Sequence, residues 1–177
     1  MLLRGPNEDA AVAVLTMANP ARRNAFSATM VAELAAHVDA LESWCAAPGS
    51  SGVGLLLRGE GTFFCSGMDL KGFLRGESPS IEGRGFGGIV QKPPEKPLIA
   101  AVEGYALAGG LELMIACDLV TANTGAKFGI PEVKRGLVAA AGGVMMLPDQ
   151  IPERIAMELA LTGDFITAQR AYVAAGL

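Results

Sequence analysis

The stretch Gly104-Tyr-Ala-Leu-Ala-Gly109-Gly110-Leu-Glu112-Leu-Met-Ile-Ala-Cys117 holds a single charged residue, Glu112, among apolar neighbours. The two adjacent glycines allow the backbone to turn sharply before a helix begins. Amides at the start of a helix have no partner within it and favour a nearby negative charge. The segment therefore predicts a buried carboxylate beside an amide that can bind an oxyanion. The alternative is a helix that simply exposes one glutamate.

Around this stretch the apolar pattern alternates between strands and helices. We expect strands at 11–16, 55–57, 97–102 and 119–122, with extended pieces at 62–65 and 128–131. Helices are expected at 28–44, from the Gly109–Gly110 turn to about 116, and at 142–147, 152–161 and 167–175, with Ser27 and Thr167 as N-caps. Short links between alternating elements predict an α/β layered fold whose sheet is largely parallel.

One segment, residues 72–95, departs from this pattern because it is rich in glycine, serine, proline and charge. That composition predicts a mobile surface loop with at most a short helical piece.

Composition limits the class of protein. The 177 residues fit one domain, 1–177, and 51% of them are hydrophobic, which is typical of a packed globular chain. A net charge of −4 argues against nucleic acid as a partner. Three widely spaced cysteines predict reduced thiols and no metal site. With no signal peptide and no apolar run long enough for a bilayer, we expect a soluble, cytoplasmic protein without a membrane partner.

Two further segments carry candidate chemistry. Glu132 directly follows Pro131 between apolar residues, and the alternative there is an ordinary surface helix start. In Phe64-Cys-Ser-Gly67-Met68-Asp69-Leu-Lys71 a strand ends in a turn at Gly67, which could free the Met68 N–H while Asp69 holds the turn. An ordinary strand-to-helix turn is the alternative for that segment.

Taken together, the three segments supply two amides and two carboxylates. Two amides could polarise one carbonyl oxygen, and two carboxylates could handle a proton and a water beside it. This combination favours chemistry next to a thioester, where negative charge develops on the carbonyl oxygen.

Four segments resemble the crotonase (enoyl-CoA hydratase/isomerase) superfamily. They are Asn19-Pro-Ala-Arg-Arg-Asn-Ala25, Phe64–Lys71, Lys96–Asp118 and Ala126-Lys-Phe-Gly-Ile-Pro-Glu-Val-Lys-Arg-Gly-Leu137. The resemblance covers essentially the whole chain. It implies the α/β crotonase-like (ClpP/crotonase) fold, a spiral of repeated β-β-α units.

The resemblance also implies roles for particular residues. The N–H groups of Met68 and Gly109 would form the oxyanion hole of an acyl-CoA thioester, and Glu112 and Glu132 would hold and add water across an enoyl double bond. The CoA-binding residues would be Ser66, Met68, Asp69, Leu70, Lys71 and Gly109. Arg22 and Arg23 could reach the CoA phosphates, although an ordinary surface role is an equal alternative. Coenzyme A would be part of the substrate, so no separate cofactor is expected.

The glutamates also bear on which family activity is present. Keeping both favours hydration of a trans-2-enoyl-CoA to a 3-hydroxyacyl-CoA, or the reverse dehydration. Enoyl-CoA isomerase or another crotonase-type activity is one alternative. The other alternative is a shortened protein that binds acyl-CoA, or associates with a full-length relative, but does not catalyse a reaction. Fatty-acid, branched-chain, carnitine-type and sterol acyl groups all remain open.

Two departures from the family pattern stand out. The usual three-glycine run is Ala108-Gly109-Gly110 here, which we expect to be tolerated because alanine still permits a close approach. Family members also continue past the equivalent of Gly176-Leu177 into a further strand and a helical region that helps to form trimers. This chain is expected to lack that region, and the resemblance implies that the protein is a homotrimer or a dimer of trimers.

Overall fold

The computed structural model describes residues 2–4, 11–50, 52 and 54–175, whose strands form two main sheets and a hairpin. The larger sheet has five strands in the order β1 (Leu2–Arg4), β2 (Val12–Met17), β3 (Gly54–Gly59), β7 (Leu98–Val102) and β9 (Leu119–Ala122). Only β1 and β2 pair antiparallel in this sheet, and the other neighbours are parallel, as predicted.

The smaller sheet has four strands in the order β11 (Ile166–Thr167), β10 (Lys127–Gly129), β8 (Tyr105–Leu107) and β4 (Phe63–Cys65). The β4–β8 and β8–β10 pairs are parallel, and β10–β11 is antiparallel. The hairpin joins β5 (Ser80–Ile81) to β6 (Gly85–Phe86).

Six α-helices and two 3-10 helices accompany these strands in the described ranges. The α-helices are α1 (Ala28–Ala46), α2 (Leu70–Leu74), α3 (Gly109–Ile115), α4 (Gly143–Gln150), α5 (Glu153–Thr162) and α6 (Ala168–Ala174). The 3-10 helices are Pro20–Arg22 and Pro131–Arg135. No helix in the described part of the chain is long and apolar enough to cross a membrane.

The chain repeats one β-β-α pattern three times. In β3–β4–α2 and in β7–β8–α3, the first strand joins the large sheet and the second joins the small sheet, and β9–β10 continues through a 3-10 helix to α4. Each repeat therefore carries the chain from one sheet to the other before a helix begins. The repeated unit predicted from the family resemblance is present.

Local capping confirms the predicted starts of two helices. The Ser27 hydroxyl accepts a hydrogen bond from Met30 N at the start of α1, and Thr167 accepts one from Arg170 N at the start of α6. An N-cap of this kind satisfies an amide that the first turn leaves unpaired. α1 then buries one apolar face, made of Met30, Val31, Leu34, Ala35, Val38 and Leu41.

The predicted mobile surface loop at 72–95 is wrong for one part of it, residues 85–90. Residues 85–90 are buried, and the Phe86 ring packs on Phe26 with centroids 5.5 Å apart. Ile89 and Val90 are also in the core. The glycines at 85, 87 and 88 have positive φ, which lets the chain turn tightly and pack against α1 and α3. A glycine-rich composition that is typical of surface loops therefore forms part of the core here.

Smaller differences concern short elements and boundaries. The strands β1, β8 and β11 are not predicted by the sequence, since two or three residues give too little periodicity. The extended piece at 128–131 ends at Gly129, because Pro131 begins a 3-10 helix. Residues 51 and 53 of the loop before β3, and Gly176 and Leu177 after α6, lie outside the described residues.

Gly110 is required where α3 meets β4. A Cβ placed on Gly110 would collide with the carbonyl oxygen of Cys65 and lie 2.8 Å from the Cys65 Cβ. The absence of a side chain therefore lets the start of α3 pack directly on the end of β4.

Substituting Gly110→Ala should lower the free energy of unfolding by about 1–3 kcal/mol, since the backbone of β4 would have to move. Urea unfolding measures the change. Gly125→Ala is the matched control, because Gly125 is exposed and its added Cβ would meet only the Asn123 side chain at 3.3 Å. Equal losses in the two variants would contradict the requirement for close packing at Gly110.

Candidate active site

The site begins where two turns touch, one after β4 and one before α3. Gly67 has φ 93°, and a Cβ built on it would lie 2.9 Å from the Ala108 Cβ and 3.0 Å from the Gly109 nitrogen. Both the left-handed conformation and the lack of space call for glycine at this position. The turns at Gly67 and Gly109, far apart in sequence, are thus in contact.

Two backbone amides, those of Met68 and Gly109, lie at this contact. Gly109 is the first residue of α3, so its N–H has no acceptor within the helix. Met68 N–H shares a peptide unit with Gly67 C=O, which accepts a hydrogen bond from Phe26 N at 2.8 Å. Because C=O and N–H of a trans peptide point in opposite directions, Met68 N–H points away from Phe26. The structure brings both predicted oxyanion amides to adjoining turns.

Glu112 lies in the middle of α3 and is buried, with 2% of its surface exposed. Its Oε1 accepts a hydrogen bond from Gly143 N, the first residue of α4, at 2.8 Å. Burial raises the pKa of Glu112, while hydrogen bonds from the amides of Gly143, Ala141 and Gly142 lower it in part. The prediction of a buried carboxylate at Glu112 is confirmed, and the alternative of an exposed glutamate is wrong.

Glu132 lies in the 3-10 helix Pro131–Arg135, just after β10. Its Oε2 is buried and is the one buried side-chain oxygen or nitrogen in the described ranges without a hydrogen-bond partner. Burial raises the pKa of Glu132 to about 7; a backbone hydrogen bond at Glu132 itself lowers it, and the charge of Glu112 raises it again. An unpaired buried carboxyl oxygen is costly, and active sites are where such groups collect.

The two carboxyls therefore differ in their surroundings. Glu112 is stabilised as an anion by amides, whereas Glu132 has an orphan oxygen and feels the charge of Glu112. With a pKa of about 7, Glu132 is partly protonated near neutral pH, whereas the amides around Glu112 favour the charged form of that carboxyl. Such a pair can take a proton with one group and deliver a proton with the other.

The other predicted binding residues follow Met68 along the chain. Asp69 caps α2, and its Oδ1 accepts from Lys71 N at 3.0 Å, so the predicted support of the turn is confirmed. Ser66 N donates to Arg23 O at 3.0 Å. Leu70 and Lys71 are exposed at the start of α2. They form an open rim next to the Met68 amide.

The two arginines predicted to reach phosphates have contacts within the protein. Arg22 forms an ion pair with Asp69 at 2.7 Å, and Arg23 lies over the Phe63 ring, 5.3 Å from its centroid. Arg22 therefore ties the loop before α1 to the turn that carries Met68. These contacts favour the surface and structural role over a phosphate contact for Arg22.

Ala108 adopts a backbone conformation that suits glycine. Its φ of 53° and ψ of −130° lie in a region that residues with a side chain rarely occupy, at a cost of order 1–3 kcal/mol. We expected alanine to be tolerated because there is space for its methyl group, but space does not determine the cost of this backbone conformation. The strain at Ala108 comes from the backbone turn that places Gly109 at the start of α3.

A separate cavity of about 570 Å³ lies on another face of α3. Its walls come mainly from α3, α4, α6 and β9, and it includes Leu111, Met114 and Ile115 but none of the predicted site residues. Glu112 and this cavity therefore lie on different faces of α3.

Neither buried cysteine has the low pKa of a nucleophilic thiol. Cys65 and Cys117 are buried, and burial raises the pKa of each thiol to about 12. Both side chains pack in the core as neutral thiols, and none of the three cysteines is in a disulfide.

Two parts of the site escaped prediction from sequence. The amides of residues 141–143 that face Glu112 come from a glycine- and alanine-rich stretch that looked only like a helix start. Asn24 is fully buried in the loop before α1, and its side chain makes three hydrogen bonds. The resemblance of Asn19–Ala25 to the family included Asn24, but it did not indicate a buried side chain.

Comparison with known proteins gives consistent matches. The family model described as enoyl-CoA hydratase/isomerase matches residues 7–177. A mevalonyl-coenzyme A hydratase of Aspergillus fumigatus is 36% identical over 156 residues, which are 86% of this chain and 56% of that protein. A carnitinyl-CoA dehydratase of Proteus mirabilis is 41% identical over 112 residues, 62% of this chain and 43% of that protein.

Solved structures agree with these sequence matches. The crystal structure of an enoyl-CoA hydratase from Mycobacterium tuberculosis has a TM-score of 0.89 and 48% identity, covering 98% of this chain and 66% of that one. A carnitinyl-CoA dehydratase from Mycobacterium avium has a TM-score of 0.85 and 41% identity over the same shares. The chain spans about half the length of the curated relatives and about two thirds of the solved ones.

The pKa of Glu132 can be measured by following its side-chain carboxyl carbon by NMR as the pH is raised. We expect a midpoint near 7, and we expect Glu112→Gln to lower that midpoint because a neighbouring negative charge is removed. A midpoint near the ordinary value of 4.5 in the parent protein would contradict the burial and coupling described above.

The same shift predicts how stability depends on pH. A folded-state pKa of about 7 above the ordinary 4.5 means that the stabilisation from a protonated Glu132 is complete below about pH 4.5 and is lost as the pH rises through 7. Glu132→Gln should therefore reduce the loss of stability between pH 5 and pH 8 by about 1–3 kcal/mol in urea unfolding.

Glu153→Gln is the control for this experiment, because Glu153 is exposed at the start of α5. The control should keep the parent's difference between the two pH values. A Glu132→Gln variant with that same difference would rule out an unusual titration of Glu132.

Proposed function

Since this chain belongs to the enoyl-CoA hydratase/isomerase family and has the crotonase fold, we propose that it adds water to the 2,3-double bond of a trans-2-enoyl-CoA. The product would be a 3-hydroxyacyl-CoA, and the reverse dehydration would use the same groups. The observation that carries the proposal is a pair of buried carboxyls in unlike surroundings: Glu112 accepts from Gly143 N, while the Oε2 of Glu132 has no partner and the pKa of Glu132 is raised by burial and by the charge of Glu112. Relatives named as hydratases and dehydratases of CoA thioesters support the same reaction class.

In this proposal the thioester carbonyl oxygen binds the N–H groups of Met68 and Gly109. Addition of water to C3 breaks the C2–C3 π bond and moves negative charge onto that oxygen. Two amides fixed in place before the reaction stabilise the developing charge, and each such donor is worth about 10²–10³ in rate. The contact between the turns at Gly67 and Gly109 supports this placement.

The different surroundings of the carboxyls support a division of roles. Ionised Glu112 takes a proton from water as the oxygen bonds to C3, and protonated Glu132 gives its proton to C2. The step leaves Glu112 protonated and Glu132 ionised, so a proton must return from Glu112 to Glu132, directly or through solvent, before the next turnover. The amides that face Glu112 and the orphan oxygen of Glu132 favour this assignment over its reverse.

The CoA portion would extend from Met68 over the exposed start of α2. Leu70 and Lys71 offer an apolar surface and a positive charge there, and Ser66 and Asp69 hold the turn beneath. No further cofactor takes part in this reaction.

Copies of this chain would associate through apolar surface on α5 and α6, forming the homotrimer or dimer of trimers suggested by the family resemblance. Side chains exposed there include Met157 at 52%, Leu161 at 67% and Val173 at 64%. Large exposed apolar surfaces on a folded chain usually mark contacts with protein. Light scattering coupled to gel filtration tests the proposal, and a monomer at every concentration would contradict it.

Replacing either glutamate should slow hydration of crotonyl-CoA by about 10²–10⁴-fold, because each change removes an acid/base group. The loss of the conjugated thioester absorbance gives the rate for Glu112→Gln and Glu132→Gln. Glu153→Gln should keep the parent's rate.

Three outcomes would overturn parts of this proposal. A glutamine variant at the parent's rate would remove that residue from the mechanism. A Glu112→Gln variant that still moves a double bond between positions 3 and 2 would favour the isomerase. A parent chain that binds CoA thioesters without turnover would favour the binding-only alternative.

A further inference from the structure

Asn24 is a buried polar residue that the proposed reaction does not use. It is 0% exposed, and its φ of 53° is left-handed. Its Nδ2 donates to Glu60 O at 3.0 Å and to Phe63 O at 2.7 Å, and its Oδ1 accepts from Asn19 N at 2.9 Å. The two Nδ2 bonds therefore fix the loop 19–26 against Glu60 and the first residue of β4, Phe63, while the Oδ1 bond closes the loop on itself.

The loop held by Asn24 runs alongside the turn that carries Met68. Arg23 O accepts from Ser66 N at 3.0 Å, Phe26 N donates to Gly67 O at 2.8 Å, and Phe26 O accepts from Asp69 N at 2.9 Å. Three successive bonds form a short parallel ladder between the loop and the turn. The Arg22–Asp69 ion pair adds a fourth tie.

One bond of this ladder sets the direction of the Met68 amide. Gly67 C=O and Met68 N–H belong to one planar peptide unit, so the bond from Phe26 N to Gly67 O also orients the N–H on the opposite side. Gly67 itself has φ 93°, and glycine offers little resistance to rotation of that peptide. Contacts from outside the peptide therefore hold it, and the shortest one to Gly67 O is the bond from Phe26 N in the loop 19–26, beside a longer contact of 3.9 Å from Cys65 Sγ.

We infer that Asn24 is a positioning residue for the oxyanion hole, acting through Phe26 on the direction of the Met68 N–H. The inference rests on the proposed function for the role of that amide, but the hydrogen-bond chain stands independently of any ligand. Asparagine suits the position because it tolerates a left-handed conformation and its short amide can donate and accept at once. Alanine would lose both properties, while glycine would lose only the side-chain bonds.

The first readout uses cinnamoyl-CoA labelled with ¹³C at the thioester carbonyl. Hydrogen bonding by the oxyanion amides lowers the carbonyl stretching frequency of the bound thioester in the infrared. We expect Asn24→Ala and Asn24→Gly to lose at least about half of the shift seen with the parent, because the Met68 N–H no longer points at the oxygen.

The second readout needs no ligand. Amide hydrogen exchange should be about tenfold or more faster at Asp69 in both Asn24 variants, because its bond to Phe26 O opens, while exchange in β3 stays as in the parent. The glycine variant keeps the left-handed backbone accessible, so this comparison survives if the alanine variant fails to fold.

Thr16→Val is the matched control. Thr16 is buried on β2, and its hydroxyl accepts from Arg58 Nε at 3.1 Å, a bond outside both the loop and the Met68 turn. It should lower stability without changing the carbonyl shift or exchange at Asp69.

The outcomes separate the two claims. A parent chain that produces no carbonyl shift would count against the proposed function, and exchange at Asp69 would then decide the positioning role alone. The inference would be overturned if the Asn24 variants kept the parent's exchange rate at Asp69. It would also be overturned if Thr16→Val changed the carbonyl shift and the exchange at Asp69 as much as the Asn24 variants do.

Discussion

The close contact between two backbone turns is the constraint on which the rest of the site depends. Gly67 and Gly110 leave no space for a Cβ, since one faces the start of α3 and the other faces the Cys65 carbonyl. This contact joins two β-β-α repeats where their second strands, β4 and β8, lie side by side. The amides of Met68 and Gly109 become neighbours only because both glycines are present.

The charge arrangement builds on this frame. α3 begins at the contact, and its fourth residue, Glu112, is carried into the core toward the amides that precede α4. The next repeat then brings Glu132 close enough to feel the charge of Glu112. Burial raises the pKa of both acids, and the unequal supply of hydrogen bonds makes them different. A fold of repeated units thus delivers two similar residues to unlike surroundings.

Much of the fold could be predicted, because its signals are local. The glycine pair before an apolar helix predicted α3 and the burial of Glu112, and Ser27 and Thr167 predicted two helix starts. The hairpin and the buried residues 85–90 could not, because their glycines resemble a surface loop until packing against Phe26 is known. The composition of residues 85–90 alone does not reveal that they pack against Phe26, about 60 residues earlier in the chain.

The same distinction applies within the site. The candidate amides and acids are marked by neighbouring glycine and proline, but their supports come from far along the chain. Gly143 lies 31 residues from Glu112, and Phe63 lies 39 residues from Asn24. Backbone strain at Ala108 was equally hidden, since it depends on the turn and not on the residue's size.

A crystal structure of this chain with butyryl-CoA, which has no double bond to hydrate, would show where the thioester binds relative to the two amides and the two glutamates. We expect the thioester oxygen about 2.7–3.1 Å from both Met68 N and Gly109 N, with the carboxyls of Glu112 and Glu132 facing C2 and C3 of the acyl chain. A thioester bound instead in the cavity on the other face of α3, or out of reach of both glutamates, would contradict it.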